Sequence, residues 1–169
     1  MDKNVLVLSA HPDIAEKSKA CAALLSAVKD LPKVRVMDLS EIPATVENYY
    51  ERVKAASVIV LQFPFWWGSA PAILKTWIDT LMLGFLEDPS MKGKRLLVAT
   101  SVGSGPEVYR AGGAEQFTVD EILRPFQVMA IYSGMTYLTP FVLYGTMLPD
   151  AEQRIQRGAK EYRALIEQL

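Results

Sequence analysis

Two short apolar runs without polar alternation constrain this chain most, NVLVLS at 4–9 and SVIVLQF at 57–63, and KRLLVATS at 94–101 reads as a further strand. A strand with one wet face alternates apolar and polar residues. A strand that does not alternate is buried on both faces, as in a parallel sheet covered by helices on each side. Helical periodicity fills the intervals, with expected helices at 18–30, 47–56, 71–83, 118–133 and 150–169. Pro71 sits at a first helical position, where its missing N–H costs nothing, and Pro125 predicts a kink or a break. Two further strands are expected: KVRVMDL at 33–39, which alternates and reads as an edge, and 136–144. Strand and helix in alternation predict a doubly wound α/β fold, a five-stranded parallel sheet in the order 2-1-3-4-5 with helices on both faces. At 169 residues the chain is expected to form a single domain, 1–169.

Composition excludes several partner classes. A net charge of −1 gives no electrostatic footprint for nucleic acid or for an anionic membrane. One cysteine, Cys21, excludes an internal disulfide framework and fits a reducing compartment. The apolar core of the first residues is too short for a secretory signal, and no window reaches bilayer-spanning length, so a cytoplasmic location is expected.

In an open α/β sheet, ligands sit beyond the carboxyl ends of the strands at the topological switch point. The loops after strands 1, 3 and 4 fall there. The first, SAHPDIAEKS at 9–18, carries the only histidine. Ser18 opens a helix, so it either caps that helix or, with the unpaired N–H groups, meets a phosphate. His11 and Asp13 are metal-ligand types, but a zinc-type site needs three or four ligands, and no second histidine exists. The HPD triplet resembles zinc-dependent deacetylases, yet their fourth position is Asp where this chain has Ile14. The second loop, within QFPFWWGSAPAILKTWID at 62–79, sets Phe65, Trp66 and Trp67 in a row. Three consecutive aromatics cannot all point into the core, so some are expected to wall a flat ligand or touch a second copy. The third, TSVGSGPEVYRAGG at 100–113, has glycines at 103, 105, 112 and 113 and an amphipathic Tyr109. Glycines permit close backbone approach to a ligand or, equally, a flexible surface loop. The spacing does not support a Rossmann dinucleotide fingerprint. Together the three loops suit a flat, phosphorylated ring with a polar edge, and flavin mononucleotide fits that description.

These motifs, followed by EILRPFQVMAIYSGMTYLTPFVLYG at 121–145, carry a resemblance over nearly the whole chain. The sequence resembles the flavodoxin-like NAD(P)H:quinone oxidoreductases, a group that includes mammalian quinone reductase and the ancillary proteins of bacterial glutathione-gated potassium efflux systems. The resemblance implies FMN rather than FAD, NAD(P)H as co-substrate, a quinone or similar acceptor, and a homodimer. It implies that His11 and Ser18 contact the flavin phosphate or ribityl chain, and that Pro64, Phe65 and Trp67 line the isoalloxazine. Trp66 then contributes at a subunit interface. Thr100, Ser101 and Gly103, with Ser104 and Gly105 beside them, meet the polar edge of the ring. Tyr109 matches the family tyrosine that assists hydride transfer.

The chain departs from the family in places. Its first and third loops are each longer by one residue, and Cys21 stands where asparagine is frequent. The histidine that mammalian quinone reductase pairs with its tyrosine is missing, since 110–117 reads RAGGAEQF. Arg110 is the one candidate for a 2′-phosphate contact, although an exposed arginine is as readily a solvated one. Two rival readings stand beside the reductase: an electron-carrying flavodoxin, disfavoured by the lack of a strongly acidic face, and an ancillary subunit of a potassium efflux system.

Overall fold

A computed structural model of the chain describes residues 4–85 and 88–169, the side chain of Ala15 aside. Its sheet is parallel, and the first four positions read β2 (Val34–Asp38), β1 (Val5–Ser9), β3 (Val58–Pro64) and β4 (Arg95–Ser101). Val5 lies opposite Val34 on one side and Val58 on the other, and Val58 lies opposite Arg95. Every residue of β1 and β3 is buried, whereas β2 is half-exposed, as its alternation predicts for an edge.

Successive side chains of a strand face opposite ways, and here both faces are apolar. Leu6, Leu8, Ile59, Leu61, Leu96 and Val98 pack on one side against α3 (Val46–Ala55), α4 (Ala72–Phe85) and α6 (Arg124–Tyr132). Val5, Val7, Val58, Val60, Leu97 and Ala99 pack on the other against α2 (Lys19–Val28) and α7 (Ala151–Gln168). Trp77 of α4 is enclosed in the first core. Truncating a side chain of that kind costs about 3–5 kcal/mol. A Cβ on Gly158 would stand 2.5 Å from Leu143 Cδ1, so α7 lies closer to the sheet than a larger residue would permit.

Two local expectations are revised, and the break expected at Pro125 is present. The strand foreseen at 136–144 is two pieces, β5 (Thr136–Tyr137) and β6 (Phe141–Leu143), both parallel to β4 and together filling the fifth position. Arg95 pairs with Thr136 but Ala99 with Phe141, so one extra residue is inserted between them. Pro140, which has no N–H to give a ladder, lies in that bulge. The helix foreseen at 118–133 divides at Leu123 into α5 (Val119–Ile122) and α6, with Pro125 in the first turn of the second. A capping box starts α5: the Glu121 N–H donates to Thr118 Oγ1 at 3.2 Å, and the Thr118 N–H donates to the Glu121 carboxylate at 2.8 Å. Inside the first loop a single turn, α1 (Ile14–Lys17), starts at Asp13, whose carboxylate accepts the Glu16 N–H.

Because all these strands are parallel, the segments after β1, β3, β4 and β6 emerge at one end of the sheet.

Candidate functional site

A cavity of about 740 Å³ opens at that end. Its first wall follows β1. His11 is 2% exposed, and its Nδ1 accepts the Asp13 N–H at 3.0 Å. That bond fixes the tautomer: the proton sits on Nε2, leaving a donor for a ligand. Burial lowers the imidazole pKa below its ordinary 6.5, outweighing the carboxylates of Asp13 and Asp38, so the ring is neutral at pH 7. Its edge meets the Trp66 ring with centroids 5.3 Å apart. Ser18 caps α2, its Oγ accepting the Cys21 N–H at 3.1 Å. The cap uses a lone pair and leaves the hydroxyl proton to donate, so capping and anion contact are compatible. Lys17, Lys19 and Ala20 line the cavity beside it. The first N–H groups of a helix have no intrahelical acceptor. A positive dipole end and a hydroxyl therefore share one wall with Lys19 and with Lys17, whose ammonium pairs with the Asp13 carboxylate at 3.2 Å.

Cys21 lies just behind. Its thiol is buried, which pushes its pKa up, and its sulfur is 3.7 Å from Ser101 Oγ. Gln62, near the end of β3, donates from Nε2 to the Cys21 carbonyl at 3.1 Å. These contacts tie the start of α2 to the ends of β3 and β4.

The second wall is the aromatic loop. Trp66 and Ser69 exchange two backbone hydrogen bonds, of 2.8 and 2.9 Å, around Trp67 and Gly68, whose φ angles are +51° and +71°. Two successive positive φ angles across a two-residue hairpin are the mark of a type I′ turn. Gly68 adopts this conformation freely, whereas Trp67 is strained in it. The turn separates the two indoles. Trp66 lines the cavity with Pro64 and Phe65, while the Trp67 side chain is fully exposed and lies outside the lining. The resemblance assigns the ring contact to Trp67 and a place at a subunit interface to Trp66; in the structure Trp66 lines the cavity and the Trp67 side chain does not.

The third wall follows β4. Ser101 and Gly103 line the cavity. Gly103 is packed by Met147: a Cβ there would stand 2.9 Å from Sδ. The carbonyls of Val102, Gly103 and Ser104 accept from Thr146, Met147 and Gly145 at 3.1, 3.0 and 2.9 Å. The N–H groups of Gly103, Ser104 and Gly105 find no acceptor among the described residues. Thr100 is withdrawn, since its hydroxyl donates to the Phe63 carbonyl at 2.8 Å and its side chain is fully buried. Ser104, Gly105 and Tyr109 are outside the lining too, although Tyr109 stands one residue behind it. Its ring meets Phe65 edge-on with centroids 6.0 Å apart. Burial, with the Glu115 charge adding, raises the Tyr109 pKa above its ordinary 10.0, so it keeps its proton.

A fourth wall was not foreseen. Thr146 and Met147 after β6, with Glu152, Ile155 and Gln156 of α7, complete the cavity. The signal was present: in a parallel sheet the segment after the fifth strand must emerge at the same end as the others.

A family model described as flavodoxin-like fold matches residues 3–166. The chain belongs to this flavodoxin-like family. Among its members it is 38% identical, over 93% of its length and 83% of the relative's, to the uncharacterized NAD(P)H oxidoreductase YdeQ of Bacillus subtilis strain 168. It is 31% identical, over 94% and 93%, to the glutathione-regulated potassium-efflux system ancillary protein KefF of Enterobacter sp. strain 638. Solved flavodoxin-like structures superimpose over almost the full chain. General stress protein 14 of Treponema denticola, in complex with FMN, gives a TM-score of 0.88 at 28% identity, over 98% of each chain. An NADPH-quinone reductase from P. pentosaceus gives 0.81 at 31%, over 95% and 97%.

Proposed function

We propose that this protein is an FMN-dependent NAD(P)H oxidoreductase that passes two electrons, as hydride, from the nicotinamide to a quinone or similar electrophilic acceptor. The observation that carries this reading is the convergence at one cavity of a helix start suited to a phosphate, an aromatic wall, and the unpaired N–H of Gly103, with those of Ser104 and Gly105 just beyond the lining. A relative crystallised with FMN and others named as NAD(P)H oxidoreductase or quinone reductase support it.

The donor set fits the cofactor. The Ser18 hydroxyl, the N–H groups of Lys19 and Ala20, and the ammonium groups of Lys17 and Lys19 hold the phosphate. His11 Nε2–H donates to the ribityl chain or the phosphate. Phe65, Trp66 and Pro64 hold the ring, and the N–H groups of Gly103, Ser104 and Gly105 meet its polar edge. When bound, the flavin supplies a ring that accepts and returns a hydride. The protein aligns the partner rings, excludes water, and places donors where negative charge grows. Tyr109 keeps its hydroxyl proton near that edge and is the one side chain assigned a catalytic role.

The protein works in the cytoplasm as a single-domain homodimer. Two features agree with that. No helix among the described residues is long and apolar enough to cross a membrane. Leu83 of α4 and Ile131 and Tyr132 of α6 are exposed around a shallow apolar hollow, a face suited to a second copy. Attachment to a potassium-efflux protein is a second reading, favoured by the KefF relative.

The test is optical. Purified protein is incubated with FMN, desalted, and mixed without air with NADH or NADPH. Retained flavin that bleaches, and recovers on adding a quinone, is the expected result. Failure to retain flavin would overturn the reading.

A further inference from the structure

Tyr109 sits on a segment, 102–118, that the backbone holds only loosely beyond its root. Past the pairing with 145–147, its backbone hydrogen bonds are short-range turns: Val108 to Gly105, Gly113 to Arg110, Glu115 to Val108 and Gln116 to Gly113. Nothing in that set orients the Tyr109 ring. Two side chains do. Phe65 meets it at 6.0 Å, and Tyr144 meets it with centroids 6.1 Å apart and planes at 49°. Phe65 belongs to the cavity wall itself. Tyr144 does not line that cavity. It directly follows β6, and its neighbour Gly145 is bonded to Ser104. Tyr144 is therefore a backstop mounted at the end of the sheet, packed against a loop whose own backbone bonds are short-range.

We propose that Tyr144 is a positioning residue: its ring, held at the end of β6, sets where the Tyr109 hydroxyl lies relative to the reacting ring. This inference rests on the reading of the site as a flavin reductase in which Tyr109 acts. Space behind Tyr144 makes the effect specific to its ring. Tyr144 also borders a separate hollow of about 350 Å³, shared with Pro106 and Arg154, that Tyr109 does not line. Removing the ring opens that hollow to Tyr109, which can then fall back from the cavity. A small displacement of a catalytic group lowers rate far more than binding. Tyr144 is half-buried, and its hydroxyl stays protonated, through burial first and then the nearby Asp120 charge. The phenol thus acts here as a neutral packing surface.

The experiment measures FMN affinity and the rate of flavin reduction by rapid mixing at saturating nicotinamide, in four variants of the full chain. Tyr144→Leu is expected to reduce its flavin on the order of tenfold more slowly, with FMN affinity changed by less than about twofold. Tyr144→Phe, which keeps the ring, is expected to restore the rate. The double variant Tyr109→Phe/Tyr144→Leu is expected to be no slower than Tyr109→Phe alone, because a positioned group that is absent cannot be misplaced. Reduction by Tyr144→Leu at the unmodified rate would overturn the proposal. So would a double variant slowed by the product of the two single effects. A loss of FMN affinity equal to the loss of rate would do the same, marking a structural role. If Tyr109→Phe alone reduces normally, the role of Tyr109 falls, and that failure is distinct from one in which only Tyr144 is silent.

Discussion

The loop after β1 and the loop after β4 face the same cavity but are held differently. In the first, side chains bond to backbone: His11 to the Asp13 N–H, Asp13 to the Glu16 N–H, Ser18 to the Cys21 N–H. In the second, the root is paired strand-like with 145–147, and beyond it Tyr109 depends on ring packing. The first wall is pre-organised and presents donors of fixed direction, which suits binding a compact anion. The second leaves N–H groups open and a phenol on a glycine-hinged segment, which suits adjustment at the reacting edge. The contrast implies a division of labour: variants of the first wall should change affinity, and variants of the second should change rate.

Substitutions can break this division. The largest effect is expected from Tyr109→Phe, which removes one hydroxyl: flavin reduction should slow by roughly 100-fold, the scale of a lost acid–base or charge-stabilising donor. FMN affinity should stay within about twofold, and a matching loss of affinity would place Tyr109 among the binding groups. Next, Ser18→Ala should weaken FMN binding about tenfold, by loss of a charge-assisted hydrogen bond. It should also lower stability by about 1 kcal/mol through loss of the helix cap, read in a urea melt. The rate at saturating flavin should not change. Unaltered affinity would mean that Ser18 only caps.

Trp67→Gly tests the aromatic wall between them. A tryptophan at φ +51° carries strain that glycine does not, so relief should raise stability by about 1 kcal/mol. A less stable variant would mean that the exposed indole is held by something in solution, a second copy first of all. The smallest effect concerns pH. The folded state holds the His11 pKa below its ordinary 6.5, so the unfolded chain binds the proton first. Stability is unaffected above that value and falls as pH drops through it toward the folded value. Thermal melts from about pH 7.5 to 5.5 should show a decline that His11→Gln reduces. An identical decline in both proteins would remove His11 as its source.

The centre of the sheet was legible because its signal is long and redundant. Strands β1 and β3 are almost wholly apolar and β4 is apolar at its centre, and a parallel sheet with two covers follows from them. The outer parts were less so. The bulge at 138–140 depends on how Pro140 escapes the ladder, which the apolar pattern of 136–144 hides. The single turn of α1 is too short to leave a period. In the site, His11, Ser18, Pro64, Phe65, Ser101 and Gly103 could be placed because each ends or follows a readable strand. The orientation of Trp66 and Trp67 could not, because it hangs on one turn type, and Trp-Gly is not a sequence that announces a type I′ turn. The wall from α7 escaped notice because an amphipathic helix shows which stripe is buried, not that its first turns overhang a cavity.

The division of labour places the affinity for FMN in its phosphate. A fluorescence titration with FMN and with riboflavin, which has the same ring and ribityl chain but no phosphate, tests this most directly. The account predicts that FMN binds at least about 100-fold more tightly, the worth of two charge-assisted hydrogen bonds at the start of α2. Equal affinity for the two would contradict it.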